Sequence, residues 1–428
     1  MTTEYAAPYV YNGDGNMLDT TTLSNASHTL TARAFLSDGS SVARSISVTV
    51  QNTATPPPPP PPASPATSVS GIGALRFGDS YRNASGYNRY DTLIVGFGDA
   101  DAAGATSARS LVYKGGVDVT DSPNADPGAS LSGVNYQEAL ANGWLLKDAS
   151  GNVLHASGYG NYLGDVGSLA FQQRWVQNVS TFLLVHHVDG VFIDNVLCSI
   201  TGLSGAAPAK YPNDTAWANA QIAFLAYVGP AMKAKGLYVA VNSFCYGPDD
   251  GSANNAWWAR VAPNVDGLMT ENFEENPSDY TQPLFDAPTL SWLGNWRGKL
   301  NVITAAQSAG KDALALTYGG AGNTQMMTFG RASFLLVWNG TNGSFIYNTT
   351  DGSDPWNTAW TAAIGTPTGP MSQAGNAYVR NYSGGYVVVN PSQSTVSVSL
   401  PAGLKTLTGA AAGSSVSLGA TSAAIFTK

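Results

Sequence analysis

The sequence predicts an α/β chain built on a (β/α)8 TIM barrel, followed by a C-terminal all-β sandwich and preceded by a short N-terminal β segment. Three observations carry this expectation. Between about residues 74 and 347, eight short apolar runs alternate with stretches of helical spacing, as in a parallel sheet with crossover helices. An unbroken proline run, Pro56 to Pro62, separates that region from what precedes it. After Pro370 the helical spacing gives way to short alternating strands. The 428 residues leave room for several domains, with boundaries expected at 1–52 for the N-terminal β segment, 53–70 for a Pro-rich linker, 71–368 for the barrel and 369–428 for the sandwich.

At the N-terminus, His28-Thr-Leu-Thr-Ala-Arg-Ala-Phe and Ser41-Val-Ala-Arg-Ser-Ile-Ser-Val-Thr-Val alternate polar and apolar residues around Ser37-Asp-Gly-Ser, the pattern of a hairpin. With the preceding Leu18-Asp-Thr-Thr-Thr-Leu, this stretch resembles the C-terminal half of bacterial immunoglobulin-like modules attached to secreted enzymes; its early strands look missing. The prolines that follow force an extended polyproline conformation and a semi-rigid spacer.

The barrel strands are expected at Ala74–Phe77, Thr92–Phe97, Ser110–Tyr113, Gly190–Asp194, Leu237–Asn242, Gly267–Glu271, Ala313–Thr317 and Gly343–Tyr347, the eight that a closed barrel requires. Leu169 to His187 reads as the helix before the fourth strand. The stretch from Asp214 to Lys235 has apolar residues at helical spacing, Asp214 available as N-cap, and Gly236 to end the helix. From Val117 to Gly133 turn formers dominate and no period stands out. Beyond the barrel, Ala377 to Pro391 is a hairpin with a Ser-Gly-Gly turn, in a small β module whose expected role is to stabilise the barrel by packing on it, with sugar binding as the alternative.

Composition narrows the function classes. Only 11% of residues are charged, so the surface is largely neutral and polar, as suits an extracellular carbohydrate-active protein. A net charge of -8 without any run of Lys or Arg argues against nucleic acid as a partner. No apolar stretch is long enough for membrane insertion, and Met1-Thr-Thr-Glu is not a signal peptide. The expectation is a monomeric protein that is secreted, or associated with a surface or virion, whose export signal is absent from this chain. Cys198 and Cys245 both follow neighbouring barrel strands; a disulfide and two buried thiols stay open as alternatives.

The most informative segment is Val188-Asp-Gly-Val-Phe-Ile-Asp-Asn-Val, an apolar strand ending in Asp194 and Asn195. Val265-Asp-Gly-Leu-Met-Thr-Glu-Asn-Phe repeats its layout, ending in Glu271 and Asn272. In such barrels the C-terminal strand ends form the active-site face, so two acids placed there face one cleft. A pair of carboxyl groups is what glycoside hydrolysis needs, one to protonate the leaving oxygen and one to attack the anomeric carbon or activate water. The plainer alternative for Asp194 is a helix cap.

Other strand-end residues are candidates for contacting a sugar: Asp79, Asp99 and Asp101 after the first two strands, Tyr113 and Lys114 at the third, Asn195 at the fourth, Asn242 at the fifth and Tyr318 at the seventh. Glu274 and Glu275 stand beside Glu271 as alternative acids, although a strand-end count favours Glu271. Trp257, Trp258, Trp292, Trp296 and Trp338 are candidate stacking platforms, with core packing as the alternative for each. His155, His186 and His187 show no metal-binding spacing and read as structural. Tyr318-Gly-Gly-Ala-Gly-Asn lacks the following Lys-Ser or Lys-Thr of a phosphate loop, so no nucleotide and no other cofactor or metal is expected.

Gly190-Val-Phe-Ile-Asp-Asn-Val, Asn142-Gly-Trp-Leu-Leu-Lys-Asp-Ala-Ser-Gly-Asn, Gly267-Leu-Met-Thr-Glu and the tail Gly-Gly-Tyr-Val-Val-Val-Asn-Pro together resemble hypothetical glycosyl hydrolase family 15, from about Leu75 to Lys428. That group is distantly similar to the α-1,4-polygalactosaminidases of glycoside hydrolase family 114. The resemblance implies Asp194 as nucleophile, Glu271 as general acid/base and retention of configuration. The expected activity is hydrolysis of O-glycosidic bonds of a microbial extracellular or cell-wall polysaccharide; the residues leave the sugar open among amino-sugar polymers, wall arabinans or galactans and neutral α-glucans. The rival expectation is a non-catalytic carbohydrate-binding or adhesive protein, and a third is transglycosylation with the same residues.

Overall fold

The computed structural model describes residues 20, 23–36, 38–50, 70–76, 84–120, 130–156, 160–204, 206–245, 252–286 and 295–428. The expected linker up to residue 69, the end of the expected first strand at Phe77, and the candidates Asp79 and Trp292 lie outside them. By its contacts the chain divides into two compact units, Met1–Pro60 and Pro61–Lys428.

In the first unit, Ser27–Phe35 and Ser41–Thr49 pair antiparallel from Ser27↔Thr49 to Phe35↔Ser41, as the alternation predicts. Asp38 turns the chain by accepting from the backbone N–H and hydroxyl of Ser40.

The second unit contains a closed parallel barrel of eight strands: Ile72–Arg76, Thr92–Val95, Arg109–Gly115, Gly190–Leu197, Tyr238–Phe244, Gly267–Thr270, Asp312–Gly319 and Ser344–Thr349. They pair in chain order, and the eighth closes on the first through Phe345↔Ile72. All eight expected strands are present. The middle of each strand is a run of mostly apolar residues because both faces are buried there. Leu75, Ile94, Leu111, Phe192, Met269, Leu316 and Ile346 fill the barrel interior, while their neighbours Leu93, Val112, Val191, Val239, Leu268 and Phe345 pack outward under the helices.

The recurring Asp-Gly that opens two of the strands has a structural cause at the opposite end from the acids. Asp189 accepts from the backbone N–H of Ser110 at 2.8 Å, and Asp266 from that of Val239 at 3.0 Å. Asp91 does the same for Ile72 at 3.1 Å. Each carboxylate thus satisfies a backbone donor at the start of the preceding strand. Gly190 is required beside Asp189 because a Cβ there would stand 2.0 Å from the carbonyl oxygen of Tyr238.

The helix before the fourth strand spans Leu169–Val185, and the long helix after it spans Asp214–Lys233. Its N-cap is Asn213, whose side chain accepts from Ala216 N at 2.9 Å, rather than Asp214. Asp214 sits in the first turn, where its charge complements the helix dipole. Gly236 ends this segment at φ 76, in the left-handed region that a side chain resists. Cys198 and Cys245, beyond the fourth and fifth strands, form a disulfide.

After the barrel comes a four-stranded antiparallel sheet in the order Ser372–Ala374, Ala377–Tyr382, Gly385–Asn390, Ser422–Thr427, with a two-stranded ladder of Val396–Ser399 and Ser415–Leu418. One face of the sheet shares a core with that ladder through Val379, Val388, Val398, Leu418 and Phe426. The other face joins the barrel core through Tyr382, Val387, Val389 and Ile425. Arg380 donates to the carbonyls of Leu335, Leu336 and Trp338 at 2.9, 3.0 and 2.6 Å, satisfying acceptors that the helix Thr324–Val337 leaves unpaired at its end. No helix among the described residues is long and apolar enough to cross a membrane.

Candidate active site

Asp194 and Glu271 are placed by the same local device. Each is followed by an asparagine in the left-handed region, Asn195 at φ 63 and Asn272 at φ 52. Asparagine tolerates this conformation better than most side chains. At Asn195 the register of the fourth strand against the fifth shifts, a bulge that redirects the neighbouring side chain. The acid-then-asparagine repeat therefore reflects how the backbone turns at the end of each of the two strands.

The two acids meet through Asn242 of the fifth strand. Its Nδ2 donates to Asp194 Oδ1 at 2.9 Å and to Glu271 Oε2 at 2.7 Å. Asp194 Oδ1 also accepts from the Asn195 backbone at 2.8 Å, and Oδ2 accepts from the Tyr113 hydroxyl. Glu271 Oε1 accepts from the Tyr318 hydroxyl at 2.9 Å. Burial, and next the charge of Asp194, raise the pKa of Glu271; the bonds from Tyr318 and Asn242 and the charge of Lys299 pull it back. Burial beside the acids also holds both tyrosines well above the usual phenol range, so they remain donors.

Two further groups surround the pair. Behind Glu271, Lys299 donates to its backbone oxygen at 3.2 Å. Glu274, Glu275 and Lys299 are all buried. Burial raises Glu274 well above the carboxylate range, raises Glu275 to about 8 and lowers Lys299 to about 8. On the other side, buried Asp118 accepts from Asn195 Nδ2 at 3.0 Å. Desolvation, then the charge of Asp194, push Asp118 up to about 6 against the bond from Asn195.

Of the sequence candidates, Tyr113, Asn195, Asn242 and Tyr318 gather at the acids. The side chain of Asn195 is turned to Asp118, which makes it a brace for the bulge. Asp99 follows the second strand at the same mouth, half-buried in a short 3-10 turn. Asp101 instead pairs with His186 at 2.6 Å, and Lys114 is buried, donating to the Ser130 carbonyl. Trp338 is not a subsite residue: it is 1% exposed and packs against Gly71 at the start of the first strand, the opposite end of the barrel. Trp257, Trp258 and Trp296 are likewise core residues, their indole N–H groups donating to Ser243 Oγ, the Ser243 carbonyl and Ser333 Oγ. Sequence reasoning missed Asp118 and Lys299. The signal for Asp118 is the Gly115-Gly116 pair, since a Cβ at 115 would lie 2.3 Å from its Oδ2. Among the described residues no group of three or more His, Cys, Asp or Glu could hold a metal ion.

The profile of hypothetical glycosyl hydrolase family 15 matches residues 106–386, which include both acids. The chain belongs to this family. As a member of hypothetical glycosyl hydrolase family 15 with a (β/α)8 barrel, it has the family and the fold of glycosidases, whose substrates are carbohydrates. No curated protein matches it. Among solved structures, the α-amylase of Malbranchea cinnamomea is similar at 11% identity over 85% of this chain and 97% of that one, TM-score 0.47. The trehalose-6-phosphate hydrolase of Bacillus licheniformis aligns at 9% identity over 84% and 99%, TM-score 0.49. A family 36 α-galactosidase of Geobacillus stearothermophilus aligns at 10% over 83% and 55%, TM-score 0.46.

Proposed function

We propose that this barrel is a retaining glycosidase that cleaves O-glycosidic bonds of a microbial extracellular or cell-wall polysaccharide. The observation that carries the reading is the bridge at Asn242. Bonds of 2.9 and 2.7 Å from one nitrogen cap the separation of the bridged carboxylate oxygens at their sum, 5.6 Å. So short a bridge between the nearest oxygens sets the two acids face to face and favours the closer, retaining spacing of about 5 to 5.5 Å over the about 6.5 to 9.5 Å by which inversion admits water.

In the first step Asp194 attacks the anomeric carbon as the glycosidic C–O bond breaks, and Glu271 gives its proton to the departing oxygen. In the second, Glu271 takes a proton from water, the water oxygen bonds to the anomeric carbon, and Asp194 leaves with its electron pair. A raised pKa suits Glu271 to the proton-donating role. Asn242, Tyr113 and the backbone of Asn195 keep the nucleophile oriented; Tyr318 keeps the acid oriented. The Cys198–Cys245 disulfide favours an oxidising location, in keeping with a secreted or surface-borne protein. A non-catalytic binding protein would have no need for a bridged pair of facing acids.

The test is product release from galactosaminogalactan, wall arabinan and galactan, and α-glucan by the wild type, Asp194→Asn and Glu271→Gln, with the product anomer read by NMR. Release by the wild type, its loss in both folded variants, and a retained anomer support the reading. Binding without release moves the protein to the carbohydrate-binding class; activity surviving both changes removes the site assignment; an inverted product removes the nucleophile.

A further inference from the structure

Side chains two apart on a strand share a face, and Phe192, Met269, Leu316 and Ile346 all face the barrel interior. Two residues further toward the mouth on each of these strands come Asp194, Glu271, Tyr318 and Asn348. The first three belong to the carboxylate pair and its bonds. Asn348, on the eighth strand, stands in register with Tyr318 on the seventh. The Tyr318 hydroxyl is given to Glu271, on the other flank, and so is not spent on Asn348. Asn348 is only 8% exposed, yet its Oδ1 is sealed without a donor, and its Nδ2 meets no acceptor among the described residues. An amide buried in this way destabilises the fold, where an aliphatic side chain of the same size would not. A partner that arrives with the ligand accounts for it.

We propose that Asn348 is a specificity-determining residue that hydrogen-bonds a ring hydroxyl of the neutral sugar attacked by Asp194, an inference that rests on the glycosidase reading above. The anomeric carbon of that sugar must lie against Asp194 while its glycosidic oxygen meets Glu271, which sets the sugar ring over the inward side chains at the strand ends. A sugar hydroxyl both donates and accepts, as an amide does, so the two can pair without any charge. An analogue lacking that hydroxyl leaves the amide unpaired in the complex, and a site with such a buried polar group rejects it.

The probes are glucosyl, galactosyl and N-acetylgalactosaminyl fluorides of both anomers, and the analogues of the cleaved one that lack each hydroxyl in turn. A fluoride carries no sugar on the leaving side, so it reports on the attacked sugar alone. Asn348→Ala is expected to lower kcat/KM on the parent fluoride roughly tenfold or more, and to leave it within about twofold on one deoxy analogue, whose missing hydroxyl is the amide's partner. Asn348→Leu, which keeps the volume, should show the same pattern and serves if the alanine variant does not fold. Equal losses on the parent and every deoxy analogue mark a structural role and overturn this inference alone, and so does wild-type kcat/KM on all of them. A wild type inert on every fluoride and on every polymer of the panel above overturns the glycosidase reading and this inference with it.

Discussion

Replacing Asn242 by alanine removes one nitrogen that donates to both carboxylates, at 2.9 and 2.7 Å, from a residue only 5% exposed. Hydrogen bonds to charged groups contribute about 1.5 to 3 kcal/mol each. If one such bond's worth is lost in the transition state, kcat/KM falls roughly 10- to 150-fold. The pH dependence has a definite sign. The Asn242 bond lowers the pKa of Glu271 by favouring its charged form, so removing it raises that pKa further and carries the alkaline limb of the pH–rate profile to higher pH. The assay is kcat/KM against pH on the cleaved polymer, with the thermal midpoint measured beside it. A variant that keeps its fold and shows wild-type kcat/KM, or an alkaline limb displaced downward, refutes the bridging role.

Three more outcomes follow from the same geometry. Glu271→Gln is expected to lose polymer cleavage but to keep kcat/KM on a glycosyl fluoride, whose leaving group needs no proton; equal losses on both would remove the general-acid assignment. Asp118, raised from 3.8 to about 6, binds protons more tightly folded than unfolded, so its contribution to stability is full below about pH 4 and is lost as pH rises through 6. That loss is on the order of 3 kcal/mol. Denaturant melts should therefore show Asp118→Asn gaining on the wild type between pH 4 and 7, and parallel curves would contradict the burial argument. Replacing Cys198 and Cys245 by serine opens a loop of 47 residues, which loop entropy values at about 4 kcal/mol; a midpoint unchanged in the double variant would show that the bond carries no such constraint.

The barrel was legible in the sequence because each strand buries both faces and so reads as an apolar run. All eight were placed, with ends off by a few residues where the ladder continues through polar positions such as Asn195 and Ser243. The acids were legible because each stands at the end of such a run before an asparagine. The cap of the long helix was misplaced by one residue because Asn213 and Asp214 are both good caps, and only backbone conformation separates them. The tryptophans were ambiguous for a related reason: an indole suits a core or a sugar platform, and its exposure is not a property of local sequence.

What the sequence by itself determined is local: which runs are buried, where each strand releases the chain, and which carboxylates stand at those points. Only the tertiary structure decided which groups face one another. Asn242 reaches Asp194 across 48 residues and Glu271 across 29, and Asn195 reaches Asp118 across 77. These pairs depend on strand order, register and two left-handed asparagines, and a one-residue slip would turn each side chain to the opposite face of its strand. The same closure that brings the acids together sends Trp338 to the far end of the barrel.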